Sequence, residues 1–412
     1  MYASGCIDSM NVDAHKLDRT GTAILRHLLI CFAFTLPISI SIAQPLAYLA
    51  IPLGICIFIW RRDRSIFANP FFWPVLSFIL LMLLAAWMGP SPAYSIPRSR
   101  RLLLSVLIFI IPAAFDLRAN RLHESILMPL LAFVAGATCL GLWDLIRIPL
   151  QVRQGIALYD TGNMRDPQLY LVSFSFVLAL WLYRPIRSNR WLLIGASAIN
   201  LLGVVLHFKR GVWISLAVSI LVLAGLTRRY RLLGYLMFGL AFSMVFPQVR
   251  DRVNLLHEEF NLRTGGRMVL WTEVAPELIR QFPVGAGFRS LEHADFAQVT
   301  PHYVQPGLNH LHNNLLQVTV DAGWLGGAVW LYWMLLTWLM LARSGIRYRQ
   351  GPPIHAVIAL GGVAAFTGLM VNGLIEYNFG NSVIFMVLML LMGVTAALHQ
   401  HTVCNGLDLP SS

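Results

Sequence analysis

Two short stretches gather the side chains able to do chemistry in an otherwise apolar chain. Asn309-His310-Leu311-His312-Asn313-Asn314 is followed by Asp321-Ala322-Gly323-Trp324-Leu325-Gly326 and then by a hydrophobic run. Histidines, asparagines and a carboxylate at a membrane boundary are costly to desolvate without partners. A neutral imidazole there suits a general base for a hydroxyl, the alternative being a hydrogen-bonded structural histidine. On composition alone the role falls equally to His310 or His312.

Two further stretches offer cations. In Phe208-Lys209-Arg210-Gly211-Val212-Trp213 a guanidinium can grip a phosphate bidentately, and Gly211 permits close backbone approach. The bland alternative is a pair of snorkelling cations beside an interfacial Trp. In Arg263-Thr264-Gly265-Gly266-Arg267, Thr264 is a candidate N-cap with Arg267 in the first turn, an anion site in outline, although Thr-Gly-Gly also makes ordinary turns. His302, His310 and His312, with Glu292, His293 and Asp295, can be read as a metal cluster. Against that reading, no DxD pair, no HExxH and no spacing puts three ligands on one helix face. No GxSxG and no Walker A loop is present. Asn200, Asn372 and Glu376 fall in or at the ends of apolar spans, where Glu376 either lines a cavity or joins two helices.

The elements that must hold these groups are membrane helices. The chain of 412 residues is 57% hydrophobic and 12% charged, against roughly 25% charged in soluble chains. Its apolar runs have the length that a ~30 Å hydrocarbon core demands, and spans must be helical to satisfy their own backbone. Spans are expected near 24–42, 45–60, 71–88, 102–115, 126–143, 169–183, 191–207, 213–227, 231–246, 323–342, 354–372 and 382–398, about twelve in all. A tight turn at Gln44-Pro45 should join the first two. Residues 1–23 are too long and too acidic for a signal-peptide n-region. The cysteines lie in the termini or in apolar spans, so no disulfide framework is implied.

An even number of spans puts both termini on one side. With the termini inside, Arg61, Arg62 and Arg64, then Arg118 and Arg121, then Arg184, Arg187 and Arg190, then Arg228, Arg229 and Arg231, and then Arg343, Arg347 and Arg349 fill every short inner loop, as the positive-inside rule requires. The rest of the +12 net charge lies outside, in Arg98, Arg100, Arg101, Arg147, Arg153, Arg165, Lys209, Arg210 and the 247–322 segment with Arg267 and Arg289. Cations held against the topological bias point to an anionic ligand on the outer face. Nucleic acid is excluded, since no basic face with interleaved aromatics lies outside the spans. Within 247–322, Trp271, Val274, Ala275, Leu278 and Phe282 recur at helical spacing, an amphipathic helix on the membrane or over the bundle, with Pro276 expected to kink or split it. The division is therefore 1–246, an N-terminal bundle; 247–322, an outer loop; and 323–412, a C-terminal bundle.

Taken together, these pieces resemble the O-antigen ligase and polymerase superfamily of bacterial envelope glycosyltransferases. His312-Asn313, nine residues, Gly323 and then Gly326 fit the ligase signature without a gap. Lys209-Arg210-Gly211-Val212-Trp213, Gly266-Arg267 through Trp271, Pro283-Val284-Gly285-Ala286-Gly287 and Arg165-Asp166-Pro167 match further family elements in order. The resemblance implies an all-α polytopic, GT-C-like fold in the bacterial inner membrane, with a helical periplasmic region between spans 9 and 10. It implies inverting, metal-independent transfer of O-antigen from an undecaprenyl-pyrophosphate-linked donor to a lipid A-core acceptor, with no cofactor. It selects His312 over His310 as base, with Arg210 and Arg267 as pyrophosphate clamps. Asn313 and Asp321 would orient His312 or the sugar, and Lys209, Arg289, Arg165 and His310 would complete the substrate contacts. The O-antigen polymerase and protein O-oligosaccharyltransferase branches are the alternatives; the latter usually carries a further C-terminal soluble domain. A transporter or lipid flippase is the rival of another class, disfavoured by the long outer segment and the lack of charges deep in the spans.

Overall fold

The computed structural model describes residues 3–61, 65–115, 122–158, 160–184, 189–254, 266–292, 299 and 310–404. Among them the ordered secondary structure is helical, with no strand. Seven helices are long and apolar enough to cross a membrane: Asp18–Ile38, Ile40–Arg61, Ser125–Arg153, Arg210–Thr227, Asn314–Tyr348, Pro353–Gly373 and Ser382–Val403. An eighth is added if Arg231–Ser243 and Pro247–Asn254, bent by 97° at their junction, count as one span. The remaining expected spans are also helical but shorter, less apolar or interrupted: Phe72–Met88, Arg190–Leu206, Asp166–Tyr183, and the 3-10 turn Arg100–Val106 running into Leu107–Ala113. The chain is thus an all-α, multi-pass membrane protein.

Several boundaries differ from the expected ones. The first two spans are joined at Ser39, whose carbonyl accepts from Ile42 and Ala43, and the second helix runs through Pro45. The fifth expected span extends to Arg153, so Asp144 and Arg147 ride on a helix rather than in a loop. The 267–281 helix is not split at Pro276: a π-turn over Leu270–Val274 absorbs the missing donor, and Pro276 opens the final Ala275–Gln281 segment. Its N-cap is Gly266 instead of Thr264. Arg62, Arg64, Arg118, Arg121, Arg187, Arg263, Thr264, Gly265, His293, Asp295, His302 and Asn309 lie outside the described residues.

The bundle has two polar ends. At one, arginines from the series expected inside close helix C-termini: Arg61 donates to Ala113 O and pairs with Asp18 at 2.7 Å, and Arg229 donates to Leu182 O at 2.9 Å. At the other, the segments around 94–101, 144–168, 207–210, 266–292, 310–314 and 374–381 converge, linked by Tyr94 to Glu292, Arg101 to Gly380, Asp144 to His207, Gln168 to Asn378 and His312 to Glu376. Pro353–Gly373 and Ser382–Val403 are the most deeply buried helices and form the centre.

The outer segment has a core of its own. Val269, Leu270, Val274, Ala275, Leu278 and Ile279 are buried against Ala286, Leu291, Leu311 and Val320, which lays the amphipathic helix over the bundle. The turn that follows docks on a break in the Asn314–Tyr348 helix, where Gly323 has φ 75° and ψ 177°. Carbonyls released by that break are taken up by the turn: Ala286 N–H donates to Val320 O and Gly287 N–H to Asp321 O, both at 2.8 Å. A Cβ on Gly323 would lie 2.5 Å from the Val284 carbonyl carbon, so glycine is required by contact as well as by φ.

Candidate active site

Asn313 builds the frame. Its side-chain oxygen accepts from Leu316 N–H at 3.1 Å, capping the Asn314–Tyr348 helix, and its amide donates to Leu374 O at 2.9 Å. Asn314 binds the same loop, through Asn378 at 2.6 Å and Phe379 N–H at 3.0 Å. The start of this helix and the 374–381 loop are therefore one unit, although 64 positions separate Asn314 from Asn378. Leu311, fully buried, is fixed on both backbone sides: its N–H donates to Gln317 and its carbonyl accepts from the Trp271 indole, each at 2.8 Å.

His312 sits between these anchors with φ 48°, a left-handed conformation uncommon for a residue with a Cβ. Its Nδ1 lies 3.0 Å from Glu376 Oε1. With a carboxylate as partner Nδ1 carries the proton, leaving Nε2 of the neutral ring as acceptor. Burial opposes ionisation of Glu376, but the hydrogen bond from His312 and the charges of His312, Arg267 and His310 outweigh it and hold its pKa below the ordinary value. Arg267 approaches the second carboxylate oxygen, Nη2 to Oε2 at 3.5 Å.

His310 stacks beside His312, ring centroids 4.1 Å apart. Burial, and next the charge of His312, push its pKa down to about 4, so it is neutral near pH 7. Its Nδ1 accepts from the His312 backbone N–H at 3.3 Å, which assigns its proton to Nε2. Tyr377 flanks it and donates to Asp321 at 3.2 Å; burial, with the Asp321 charge, raises the phenol well above its ordinary value and keeps it a donor.

The expected residues divide into three groups. His310, His312 and Arg267 meet at Glu376. Lys209 and Arg210 stand against the same loop: Gly211 packs on Ile375, Arg210 donates to Arg252 O at 3.0 Å, and Lys209 feels Glu376, Asp160 and Arg252 electrostatically. Burial, and next Arg252, lower the Lys209 pKa. Arg289, with φ 58°, pairs with Glu292 and lines a cavity of about 190 Å³ that also touches His310 and Tyr377. Asp321 and Arg165 lie elsewhere. Asp321 is fully buried and bonds Gln317 and Tyr377, so it braces the site from behind. Arg165 lines a separate cavity with Asp166, Asp144 and Arg147.

Glu376 is the residue that sequence reasoning left as one of two readings. The local signal was a carboxylate just past an apolar span on the arginine-rich side, and nothing local tied it to a histidine 64 positions away. His310, His312 and Glu376 each offer one ligand atom, all within 4.8 Å of one another, so this trio is also where a cation would bind.

The structure is thus a multi-pass helical bundle with a carboxylate-braced histidine beside an arginine at one polar end. Residues 195–331 match the family model described as O-antigen ligase, and this segment holds Lys209, Arg210, Arg267 and His312. The match supports function of the O-antigen ligase or polymerase type, a glycosyltransferase-like enzyme handling lipid-linked glycan in a membrane. No curated protein matches the chain.

Proposed function

We propose that this protein is an inverting glycosyltransferase that moves O-antigen polysaccharide from undecaprenyl pyrophosphate to the lipid A-core oligosaccharide in lipopolysaccharide biosynthesis. The carrying observation is the His312–Glu376 pair, 3.0 Å apart, with Arg267 on the same carboxylate and Lys209 and Arg210 beside it. In this reading His312 Nε2 takes the proton of the acceptor hydroxyl as its oxygen attacks the anomeric carbon. The bond from that carbon to the pyrophosphate oxygen breaks on the opposite face, which inverts the configuration. Undecaprenyl pyrophosphate departs with the electron pair, its charge received by Arg210, Arg267 and Lys209. Glu376 holds the ring in the productive tautomer and stabilises the imidazolium that forms, as the carboxylate does in other base-histidine pairs.

The same reading assigns the chain a bundle over 1–246, a periplasmic region over 247–322 and a second bundle over 323–412. It puts both termini in the cytoplasm and the site at the periplasmic face of the inner membrane. The two polar ends support this orientation, since Arg61 and Arg229, from the short loops, lie opposite the His312 site. It also assigns catalysis without a metal, the guanidiniums taking that role.

The deciding experiment supplies purified enzyme with lipid-linked glycan and offers lipid A-core, a second lipid-linked glycan and a Ser/Thr peptide together. Elongation of lipid A-core is expected. Elongation of the lipid-linked chain would make the protein a polymerase, and glycosylated peptide a protein O-oligosaccharyltransferase. His312→Ala should abolish transfer with expression and melting unchanged; full activity in that variant ends the base assignment.

A further inference from the structure

A second cavity, of about 400 Å³, opens at the same end of the bundle but is built from other elements. It falls in the size range of small-molecule sites, roughly 300–1,000 Å³. Its polar half is Asp144, Arg147, Asn163, Arg165 and Asp166. The two carboxylates are almost wholly buried and each holds a guanidinium: Arg147 to Asp144 at 2.7 Å, and Arg165 to Asp166 at 2.6 Å. Asn163 completes the wall, donating to Asp166 at 2.6 Å. The other half is apolar, with Ile38, Leu140, Cys139 and an indole, Trp143, that is 57% exposed.

Charge decides what fits. Two cations facing two anions leave no net charge for a phosphate to neutralise, and the guanidiniums already fill the role a divalent cation would have beside these carboxylates. What remains is a set of mixed donors and acceptors; the Nε of Arg147 is buried without a hydrogen-bond partner. Such a set matches vicinal hydroxyls, and the exposed indole beside it offers an apolar face to a sugar ring. The apolar wall is built from the spans Asp18–Ile38 and Ser125–Arg153, so the hydroxyls should belong to a lipid.

The cavity is also wired to the cations of the His312 site. Asp144 accepts from Tyr170 at 2.5 Å and meets the fully buried His207 at 2.9 Å. His207 leads, through Phe208 at φ 53°, directly into Lys209 and Arg210. Gly162 closes over His207 so tightly that a Cβ there would lie 2.9 Å from its Nδ1.

We infer that this cavity is a sugar-headgroup site for a glycolipid, a second substrate-binding position distinct from the His312 centre. It rests on the glycan-transfer reading only for the expectation that the occupant is a substrate. Cys139 lines the cavity and is an exposed free thiol, which makes it a reporter. Full-length protein with Cys6, Cys31, Cys56 and Cys404 replaced by Ser is placed in phosphatidylcholine nanodiscs and alkylated with N-ethylmaleimide, followed by mass spectrometry. Monoglucosyl diacylglycerol should slow Cys139 alkylation at least threefold, whereas diacylglycerol and phosphatidylglycerol should not. Trp143→Ala, at an exposed position that folding tolerates, should abolish the protection, and Arg147→Gln should weaken it. Equal protection by diacylglycerol would reduce the cavity to an apolar groove, and protection by phosphatidylglycerol would make it an anionic-headgroup site; either overturns the inference. His312→Ala should keep full protection while losing transfer. Loss of protection in that variant would put the headgroup at the His312 centre and overturn the inference, whereas retained transfer with retained protection would overturn only the base assignment.

Discussion

His312 Nδ1 and Glu376 Oε1 lie 3.0 Å apart and join the entry of the Asn314–Tyr348 helix to the loop beyond Pro353–Gly373. The pair makes Glu376 the positioning partner of the base. Glu376→Gln keeps the shape but removes the charge that steadies the imidazolium. The expected result is a kcat lower by about 10²–10⁴-fold, the range general-base catalysis contributes, with KM little changed. Single-turnover transfer from lipid-linked donor measures it, and an unchanged kcat would detach Glu376 from the chemistry.

Acid should destabilise the fold through His310. Its pKa is about 4 in the folded protein against 6.5 ordinarily, because burial and the charge of His312 disfavour its protonated form. Between those values the unfolded chain binds the proton and the folded chain does not, so stability falls as pH drops from 6.5 towards 4. His310→Gln removes this term. Melting of the variant in nanodiscs should therefore lose less over that window than the wild type does; parallel curves would contradict the burial argument.

Much of this arrangement was legible in sequence because its parts are local. Hydropathy located the seven helices that are long and apolar enough to cross a membrane, and two of the arginines expected inside, Arg61 and Arg229, close helix termini. The His-Asn step stood out by its spacing, but the helix cap that Asn313 makes was not among its expected roles. Tertiary pairings were not legible. Glu376 meets His312 only because Asn313 and Asn314 tie two distant segments together, and Asp321 is drawn away from the base by Gln317 and Tyr377. The left-handed backbone of His312 carries no residue-type signal at all, unlike that of Gly323.

Gly323→Ala should damage the site from a distance. The position needs φ 75°, and an added Cβ would press on the Val284 carbonyl carbon at 2.5 Å. Strain of this kind costs about 1–3 kcal/mol. It should appear as a lower melting temperature together with reduced transfer, because the displaced turn shares the helix that His312 precedes. Wild-type melting in the variant would mean that the turn and helix are not locked together.

A chelator tests how the leaving pyrophosphate is stabilised. His310, His312 and Glu376 could hold a cation, but Arg267 already contacts Glu376 at 3.5 Å and shares its negative charge. Transfer in excess chelator should proceed at the untreated rate. Loss that is restored by a divalent ion would assign the trio to metal binding and remove His312 as a free base.

The guanidinium geometry is the last test. A bidentate grip on pyrophosphate needs the planar fork of arginine, which a lysine ammonium replaces only as a point charge. Arg210 is placed for such a grip by its hydrogen bond to Arg252 O and by the packing of Gly211 on Ile375, beside the Glu376 loop. Arg210→Ala should cost about 10²–10³-fold in kcat, as loss of a preorganised charge-stabilising donor does. Arg210→Lys should recover little of it. Lys209→Arg, by contrast, should be tolerated, because it keeps a cation at this position. If Arg210→Lys transfers at the wild-type rate, charge alone suffices at this position and the bidentate contact is not part of the reaction.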